Sequence, residues 1–350
     1  MNKGPVYILG IESSCDETSA AVTRDGVILS NVVAGQEVHA RYGGVVPELA
    51  SRAHQQQIIP VVTAALQEAN LPKSALGAIA FTRGPGLIGS LLVGTSFAKA
   101  MSLALDIPLI EVNHMQAHVI ANFAARENEV LRQPGFPFLC LTVSGGHTQL
   151  VLVHDYLDME IIGQTRDDAA GEAFDKVAKM LGLPYPGGPL VDQWAQKGDG
   201  RRYPFPHPFA PGLDFSFSGL KTAVLYFLQR EKQKDPDFLS TQLADVCASV
   251  QYTIVNMLLE KIEMAIQQTG IREIALAGGV SANSGLREAI KSKAAVDGWK
   301  VHVPPFEYCT DNAGMIAVFA HYKFDAGIFC GQEVSPLARF PFRRPEPFSE

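Results

Sequence analysis

The stretch "VYILGIESSCDETSAAVTRDGVILSNVV", Val6 to Val33, decides the fold. It reads as an apolar strand, a tight polar turn, a second strand, an Asp-Gly hairpin turn at Asp25 and Gly26, and a third strand. The same grammar returns in "FPFLCLTVSGGHTQLVLVHDYLDMEIIGQT", Phe136 to Thr165: a strand, a small-residue turn at Ser144 to Gly146, a strand, a turn near Asp155, and a strand. After it, Ala170, Ala173, Phe174, Val177, Ala178 and Leu181 fall at helical spacing and predict a core-facing stripe. Recurrence at this distance is far longer than a solenoid period and points to duplication of a whole domain. The expectation is therefore two lobes built on one plan.

Between and beyond these repeats, strands and helices alternate as in layered α/β domains. "PELASRAHQQQIIPVVTAALQEAN" carries Ile58, Val61, Val62, Ala65, Leu66 and Ala69 at helical spacing, with Pro60 marking a kink or a helix start. "LGAIAFTRGPGLIGSLLVGTSFAKAMSLAL" reads as strand, loop, helix, and its Gly84, Pro85, Gly86 and Gly89 are read as a plain turn rather than an anion cradle. "GDGRRYPFPHPFAPGLDFSFSGLKTAV" is rich in Pro, Gly and aromatics and is expected to be a long irregular insertion near a functional surface. The final "PFRRPEPFSE" lacks periodicity and is expected to be a loose tail.

With 350 residues the chain accommodates about two domains of ordinary size. A net charge of −7 excludes a generally basic, nucleic-acid-coating surface, so any RNA contact must be local or shared with a partner. Five cysteines, odd in number and without a C-x-x-C pair, suit reduced thiols and a cytoplasmic location rather than a disulfide framework. The apolar region from Leu91 to Val112 is interrupted by Lys99 and Asp106, and no membrane span or signal peptide is read from the sequence.

Chemistry concentrates in a few short motifs. "HMQAH" places His114 and His118 four residues apart, on one face of a helix, where both rings can converge on one ion. Met115 stands where a zinc protease needs its Glu general base, which disfavours proteolysis. In "CTDNAGMIA" a helical stripe of Ala313, Ile316, Ala317 and Ala320 begins, so Asp311 is either that helix's N-cap or a third ligand. Two His and one carboxylate form a facial set suited to Fe(II) and acceptable to Zn²⁺.

Three turns follow β-like runs: "ESSCDET", "SGGHTQ" and "AGGVSANSG". Small residues there let backbone amides approach an anion, although each alone also reads as an ordinary hairpin or helix-start turn. Asp16 and Glu17 do not suit a phosphate nest. They would aim a metal-bound water, a cation or a polar substrate group, or face solvent.

Taken together, "GIESSCDETSAAV", "HARYGGVVPELASRAH", "NHMQAH", "VSGGHTQLV", "GEAFDKVAKMLGLPYPGGP", "FSFSGLKTA", "AGGVSANSGLR" and "CTDNAGMIA" resemble the TsaD family of tRNA threonylcarbamoyladenosine transferases, formerly called the glycoprotein endopeptidase family. The likeness runs from about Leu9 to His321 and fades beyond about Pro336. It implies an α/β fold of two duplicated lobes, akin to the actin, sugar-kinase and chaperone ATPases, around a central nucleotide cleft. The lobes would be residues 1–133 and 134–325, with the last helix, 311–323, able to pack back on the first, and 326–350 as a tail.

The resemblance also implies one divalent metal, Fe(II) favoured over Zn(II), on His114, His118 and Asp311, where the lobes meet. Donor-binding positions would be Thr142, Val143, Ser144, Gly145, Gly146, Asp175, Gly188, Asp192 and Asn283. Asp16 and Glu17 match the family's acidic turn and are the catalytic candidates, with their chemical role open. The implied reaction moves threonylcarbamoyl from L-threonylcarbamoyladenylate to the N6 amine of the adenosine 3′ of the anticodon in tRNAs reading codons that begin with A, releasing AMP. Implied partners are tRNA, a TsaB-like paralogue, a TsaE-like ATPase and a TsaC-like donor synthase. Two other classes share the fold: a Mg²⁺-ATP-dependent small-molecule kinase, which would want an acidic base rather than a His₂Asp set, and a catalytically silent binding subunit.

Overall fold

The computed structural model describes residues 4–36, 39, 42, 44–127, 129 and 132–342. These form two compact units. The first comprises the described residues of Met1–Gln133, His154–Met159 and Pro304–Glu350; the second is Pro134–Val153 with Glu160–Val303.

In the first unit, strands β1 (Tyr7–Glu12), β2 (Thr18–Arg24), β3 (Val27–Ala34), β4 (Ala78–Gly84) and β5 (Leu109–Asn113) form one sheet in the order β3-β2-β1-β4-β5. β1, β2 and β3 are an antiparallel meander, and β4 and β5 continue in parallel from β1. Side chains alternate across β1 as a strand requires. Leu9 and Ile11 enter a core with Ile58, Val61 and Val62 of helix α1 (Pro47–Glu68) and Ala98 of helix α2 (Ile88–Leu105). The alternate positions Ile8, Gly10 and Glu12 therefore face the other side of the sheet.

That other side carries helix α9 (Ala313–Asp325), whose Ala313, Ile316, Ala317 and Ala320 are fully buried. Gly10 makes this possible. A Cβ there would lie 2.7 Å from the Ala313 carbonyl oxygen and 2.9 Å from Ala317 Cβ, so helix backbone and strand backbone touch. Residues 304–325 thus lie with the first unit; the sequence placed them at the end of a segment running 134–325, with the last helix, 311–323, able to pack back on the first. The short helix α3 (His114–Ile120) follows β5 directly and is capped by Asn113, whose side-chain oxygen accepts from the amides of Met115 and Gln116 at 2.9 and 3.2 Å.

The chain after α9 is docked through its backbone. Cys330 N donates to Leu109 O at 2.9 Å and Leu337 N to Arg83 O at 2.8 Å. In return Arg83 Nε donates to Ser335 O, Lys99 Nζ to Val334 O and Asn113 Nδ2 to Phe340 O. Of the expected loose tail, residues up to 342 are held in this way, and 343–350 lie outside the described residues. Two other expectations are adjusted. Pro60 sits inside α1, where it and the preceding-turn Gln56 are exposed, so the carbonyl that loses its helical partner is open to water. Gly89 lies in α2 rather than in the loop before it.

The second unit repeats the plan. β6 (Phe138–Val143), β7 (Thr148–Asp155), β8 (Asp158–Gln164), β9 (Glu273–Ala277) and β10 (Lys300–His302) are ordered β10-β9-β6-β7-β8. Read from the other edge this is the first sheet's order, with β6–β7 antiparallel and β9 and β10 parallel to β6. Helices α4 (Ala170–Met180), α5 (Gly187–Ala195), α6 (Ser218–Lys234), α7 (Phe238–Thr269) and α8 (Ser284–Asp297) complete it. The stripe from Ala170 to Leu181 is buried as its spacing predicts. The aromatic insertion is irregular only through Phe217; its Phe205, Leu213, Phe215 and Phe217 enter the core, while Phe209 is exposed.

One helix, α2, is long and apolar enough to cross a membrane by length and composition; here its Ser90, Leu91, Gly94, Thr95 and Ala98 are buried inside the first unit. The tight β1–α9 contact generates a stability prediction. Gly10→Val forces helix and strand apart and is expected to cost about 1–3 kcal/mol, read as a lower urea midpoint. Gly145→Ala, where an added Cβ meets nothing within 4 Å, should leave that midpoint unchanged.

Candidate functional site

α3 presents both histidines inward: His118 is fully buried and His114 nearly so. Asp311, just before α9, reaches the same point. His118 Nε2 lies 3.0 Å from Asp311 Oδ1 and 3.2 Å from His114 Nε2, and His114 Nε2 lies 3.4 Å from Asp311 Oδ1. Donor atoms of the three residues all fall within 4.8 Å of one another. Metal–nitrogen bonds of about 2.0–2.1 Å place neighbouring tetrahedral ligands roughly 3.3 Å apart, so this spacing is that of ligands on one ion. All three residues belong to the first unit, so the trio closes within one lobe, not across two.

Asp311 is free for this because it is not the cap. Asn312 is the N-cap of α9, its side chain accepting from Met315 N at 3.0 Å. The N-cap role that the sequence offered Asp311 thus falls to its neighbour, one residue on.

Sequence reasoning missed Glu12. At the end of β1 its carboxylate is wholly buried and lies 2.9 Å from His114 Nδ1. It also accepts from Ser14 N and Thr82 Oγ1. A proton on Nδ1 shared with Glu12 fixes the imidazole tautomer and turns the Nε2 lone pair toward the trio. The signal was present: β1's alternation puts this charged residue on the face that Gly10 shares with α9.

The electrostatics favour a cation. Burial opposes ionisation of Asp311, but His114 and His118 hold its carboxyl well below the usual range. Burial likewise opposes Glu12, and His114 brings it down. Burial pushes His114 down, and the Asp311 and Glu12 charges more than reverse this, raising it well above normal. Burial keeps His118 low. Asp16 and Glu17 lie in the turn between β1 and β2; burial, then Asp311 and Asp16, push Glu17 up to about 9. Among the described residues no Lys or Arg pairs with Glu12, Asp16, Glu17 or Asp311. Four carboxylates thus converge with only imidazoles to offset them, a charge balance that a divalent ion corrects.

The acidic turn itself is clamped. Ser90 Oγ and His54 Nε2 both donate to Cys15 O, at 3.0 and 3.1 Å, Leu87 N donates to Ser14 O, and Ser13 Oγ donates to Ser90 O.

The expected donor positions lie in the second unit, and the structure connects them. Thr142 and Val143 end β6, beside Ala277 of β9. Gly278 has φ +84° and its missing Cβ would sit 2.5 Å from Val143 O, which packs the "AGG" turn against the end of β6. Asp175 of α4 accepts from Gly187 N and Gly188 N through one oxygen, at 2.9 and 3.0 Å, and burial raises its pKa. Asp192 of α5 accepts from Ser284 N and Ser284 Oγ at 3.0 and 2.7 Å. Asn283 caps α8 through Leu286 N and donates to Gln251 Oε1 at 2.8 Å. Ser284 and Gln251, which hold these positions together, were not singled out from sequence, because nothing in their spacing marks them.

Residues 27–318 match the family model described as TsaD: tRNA N6-adenosine threonylcarbamoyltransferase. The chain belongs to this family. Proteins bearing the name tRNA N6-adenosine threonylcarbamoyltransferase are 58% identical in Christiangramia forsetii, over 98% of this chain and 100% of that one. In Porphyromonas gingivalis the identity is 56%, over 96% and 99%. Among solved structures, full-length HypF with phosphate and nucleotide aligns at TM-score 0.59 and 15% identity over 91% of this chain and 47% of its own. Component A of the Acidaminococcus fermentans (R)-2-hydroxyglutaryl-CoA dehydratase aligns at 0.53 and 14%, over 91% and 98%. At that identity the likeness concerns the fold, which is that of the actin-like and sugar-kinase ATPases.

The corrected cap separates two roles that adjoin in sequence. Asn312→Ala is expected to cost about 1 kcal/mol of stability and keep bound metal. Asp311→Asn is expected to fold normally and copurify with little metal, both read by elemental analysis and thermal unfolding of the purified chain.

Proposed function

We infer that this chain is a tRNA N6-adenosine threonylcarbamoyltransferase, an acyltransferase of tRNA modification. The observation that carries the reading is identity above half, end to end, with relatives that bear that one name. We place its action at the adenosine 3′ of the anticodon in tRNAs reading codons that begin with A, with L-threonylcarbamoyladenylate as donor and AMP as product. The intact His₂Asp set favours this over a Mg²⁺-ATP kinase, and its completeness favours an active enzyme over a silent binding subunit.

In this reading His114, His118 and Asp311 hold one divalent metal, Fe(II) before Zn(II), and the bound ion supplies Lewis-acid polarisation of a carbonyl or phosphoryl oxygen. Glu12 holds His114 in the tautomer that leaves Nε2 free. Asp16 and Glu17, in their clamped turn, are the catalytic candidates beside this set. Thr142 to Gly146 offer small residues and amides to the donor's phosphate, while Asp175, Gly188, Asp192 and Asn283 shape its nucleoside pocket. Excluding water matters because water would hydrolyse the activated carbamate.

The assembly we propose includes a TsaB-like paralogue, a TsaE-like ATPase and a TsaC-like synthase that supplies the donor, all in the cytoplasm. Ile88, Leu92 and Leu103 of α2 leave large apolar side chains exposed and suit a protein partner better than open solvent.

Reconstitution with those proteins should release AMP only when donor and tRNA are both present. Release of AMP without tRNA, or phosphorylation of a small molecule, would overturn the reading. Within it, Gly146→Val is expected to fold, since an added Cβ meets nothing within 4 Å, and to bind donor at least tenfold more weakly, measured by titration with a non-hydrolysable adenylate.

A further inference from the structure

A second surface, in the second unit, has the character of an RNA contact. The segment Lys197–Arg202, "KGDGRR", joins α5 to the aromatic insertion, and Lys197, Arg201 and Arg202 are all exposed. Among the described residues none of the three has an acidic partner, in a chain whose net charge is −7 and whose Arg24, Arg52, Arg83, Arg126, Arg166 and Arg230 are all paired with carboxylates. Lys197 and Arg201 lie against aromatic rings instead. Lys197 Nζ lies 5.0 Å from the Trp194 ring centre, and the Arg201 guanidinium lies 5.9 Å from that of Tyr252, which is 43% exposed.

The segment is rigidly based. Asp199 N donates to Asp245 Oδ1 at 2.8 Å, Ser249 Oγ to Asp199 O at 3.3 Å, and Tyr203 N to Ser249 Oγ at 3.1 Å. Gly200 lies on Tyr252 so closely that a Cβ would come within 2.9 Å of the tyrosine's own. Asp199 and Asp245 each accept a backbone amide here, from Arg201 and Asp199. They leave the three cations facing solvent.

The location gives this surface a task. Tyr252 follows Gln251, which accepts from Asn283, and Gln196, next to Lys197, donates to Ser284 Oγ at 3.1 Å. The cation–aromatic patch is therefore next in the chain, at two points, to residues that hold the Asp192–Asn283–Ser284 group.

We propose that Lys197, Arg201, Arg202 and Tyr252 dock the acceptor tRNA: the cations contact loop phosphates and a single-stranded nucleobase stacks on Tyr252 beside the donor pocket. This rests on the transferase reading above. Unpaired cations alone would attract any polyanion, but an exposed ring carrying a guanidinium is the platform on which an unstacked base of an RNA loop is bound. Lys and Arg at the backbone and an aromatic at the base divide the work as RNA recognition requires.

The test uses the full chain reconstituted with its partner proteins and a tRNA transcript reading a codon that begins with A. Arg201→Ala with Arg202→Ala is expected to weaken tRNA binding about tenfold near 0.1 M salt, and to reduce the slope of log affinity against log salt by about 1.5, at roughly 0.7–0.9 per phosphate contact. Affinity for a non-hydrolysable adenylate should be unchanged. Tyr252→Ala is expected to lose about tenfold with no change of slope, and Tyr252→Trp to restore binding. Should the double variant unfold, Lys197→Ala gives the same readout with a slope change of about half that size. Wild-type modification of tRNA together with unaltered affinity and slope in the variants would overturn the docking surface alone. A wild-type complex that neither binds nor modifies tRNA would overturn the surface and the transferase reading together.

Discussion

The contact of Gly10 with the first turns of α9 is the constraint on which the candidate metal centre depends. A strand and a helix pack at about 10 Å when both carry ordinary side chains; here one of them contributes only a hydrogen, and the helix start is drawn onto β1. Because Asp311 immediately precedes that helix, drawing it in brings a carboxylate from late in the chain to the two histidines that follow β5. Because Glu12 is two residues beyond Gly10 on the same face of β1, it arrives beneath His114 by the same geometry. Three segments far apart in sequence thus meet through one missing side chain.

The centre this creates is over-supplied with negative charge. Glu12, Asp311, Asp16 and Glu17 are gathered where protonation of His114 offsets only one charge, and the response of the folded chain is to drive His114 up and Glu17 up together. A cation relieves both at once. The second unit handles its carboxylates differently: Asp175 accepts two backbone amides and Asp192 an amide and a hydroxyl, which ties α4, α5 and α8 to one another.

Much of this is legible in the order of the amino acids. The two strand-turn-strand-turn-strand runs announce the duplicated sheets because alternation and Asp-Gly or Gly-Gly turns are local properties, and the stripe on α4 follows from periodicity alone. His114 and His118 are legible because four residues make a turn. What is illegible depends on contacts distant in sequence. Whether Asp311 or Asn312 caps α9 turns on where the helix axis meets β1, which no propensity encodes. The partnership of Glu12 with His114 spans about a hundred positions, and the close seat of the last helix on β1 follows from a glycine whose significance is the helix lying over it. Pro60 is legible only in part: of the helix start and the kink that it suggests, the start is excluded because it lies inside α1.

The segment after α9 has a further consequence. Arg83, Lys99 and Asn113 grip it by the carbonyls of Ser335, Val334 and Phe340, and Asn113 is at the same time the cap of the helix that bears both histidines. Main-chain grips are blind to side-chain identity. Beyond the packing of Val334 on the core and of Phe340 under Arg83, residues 334–340 are therefore constrained in number more than in kind, because each inserted or deleted residue would shift the carbonyl that steadies Asn113. This stretch works as a ruler whose markings are peptide bonds, setting the seat of α3 by chain length.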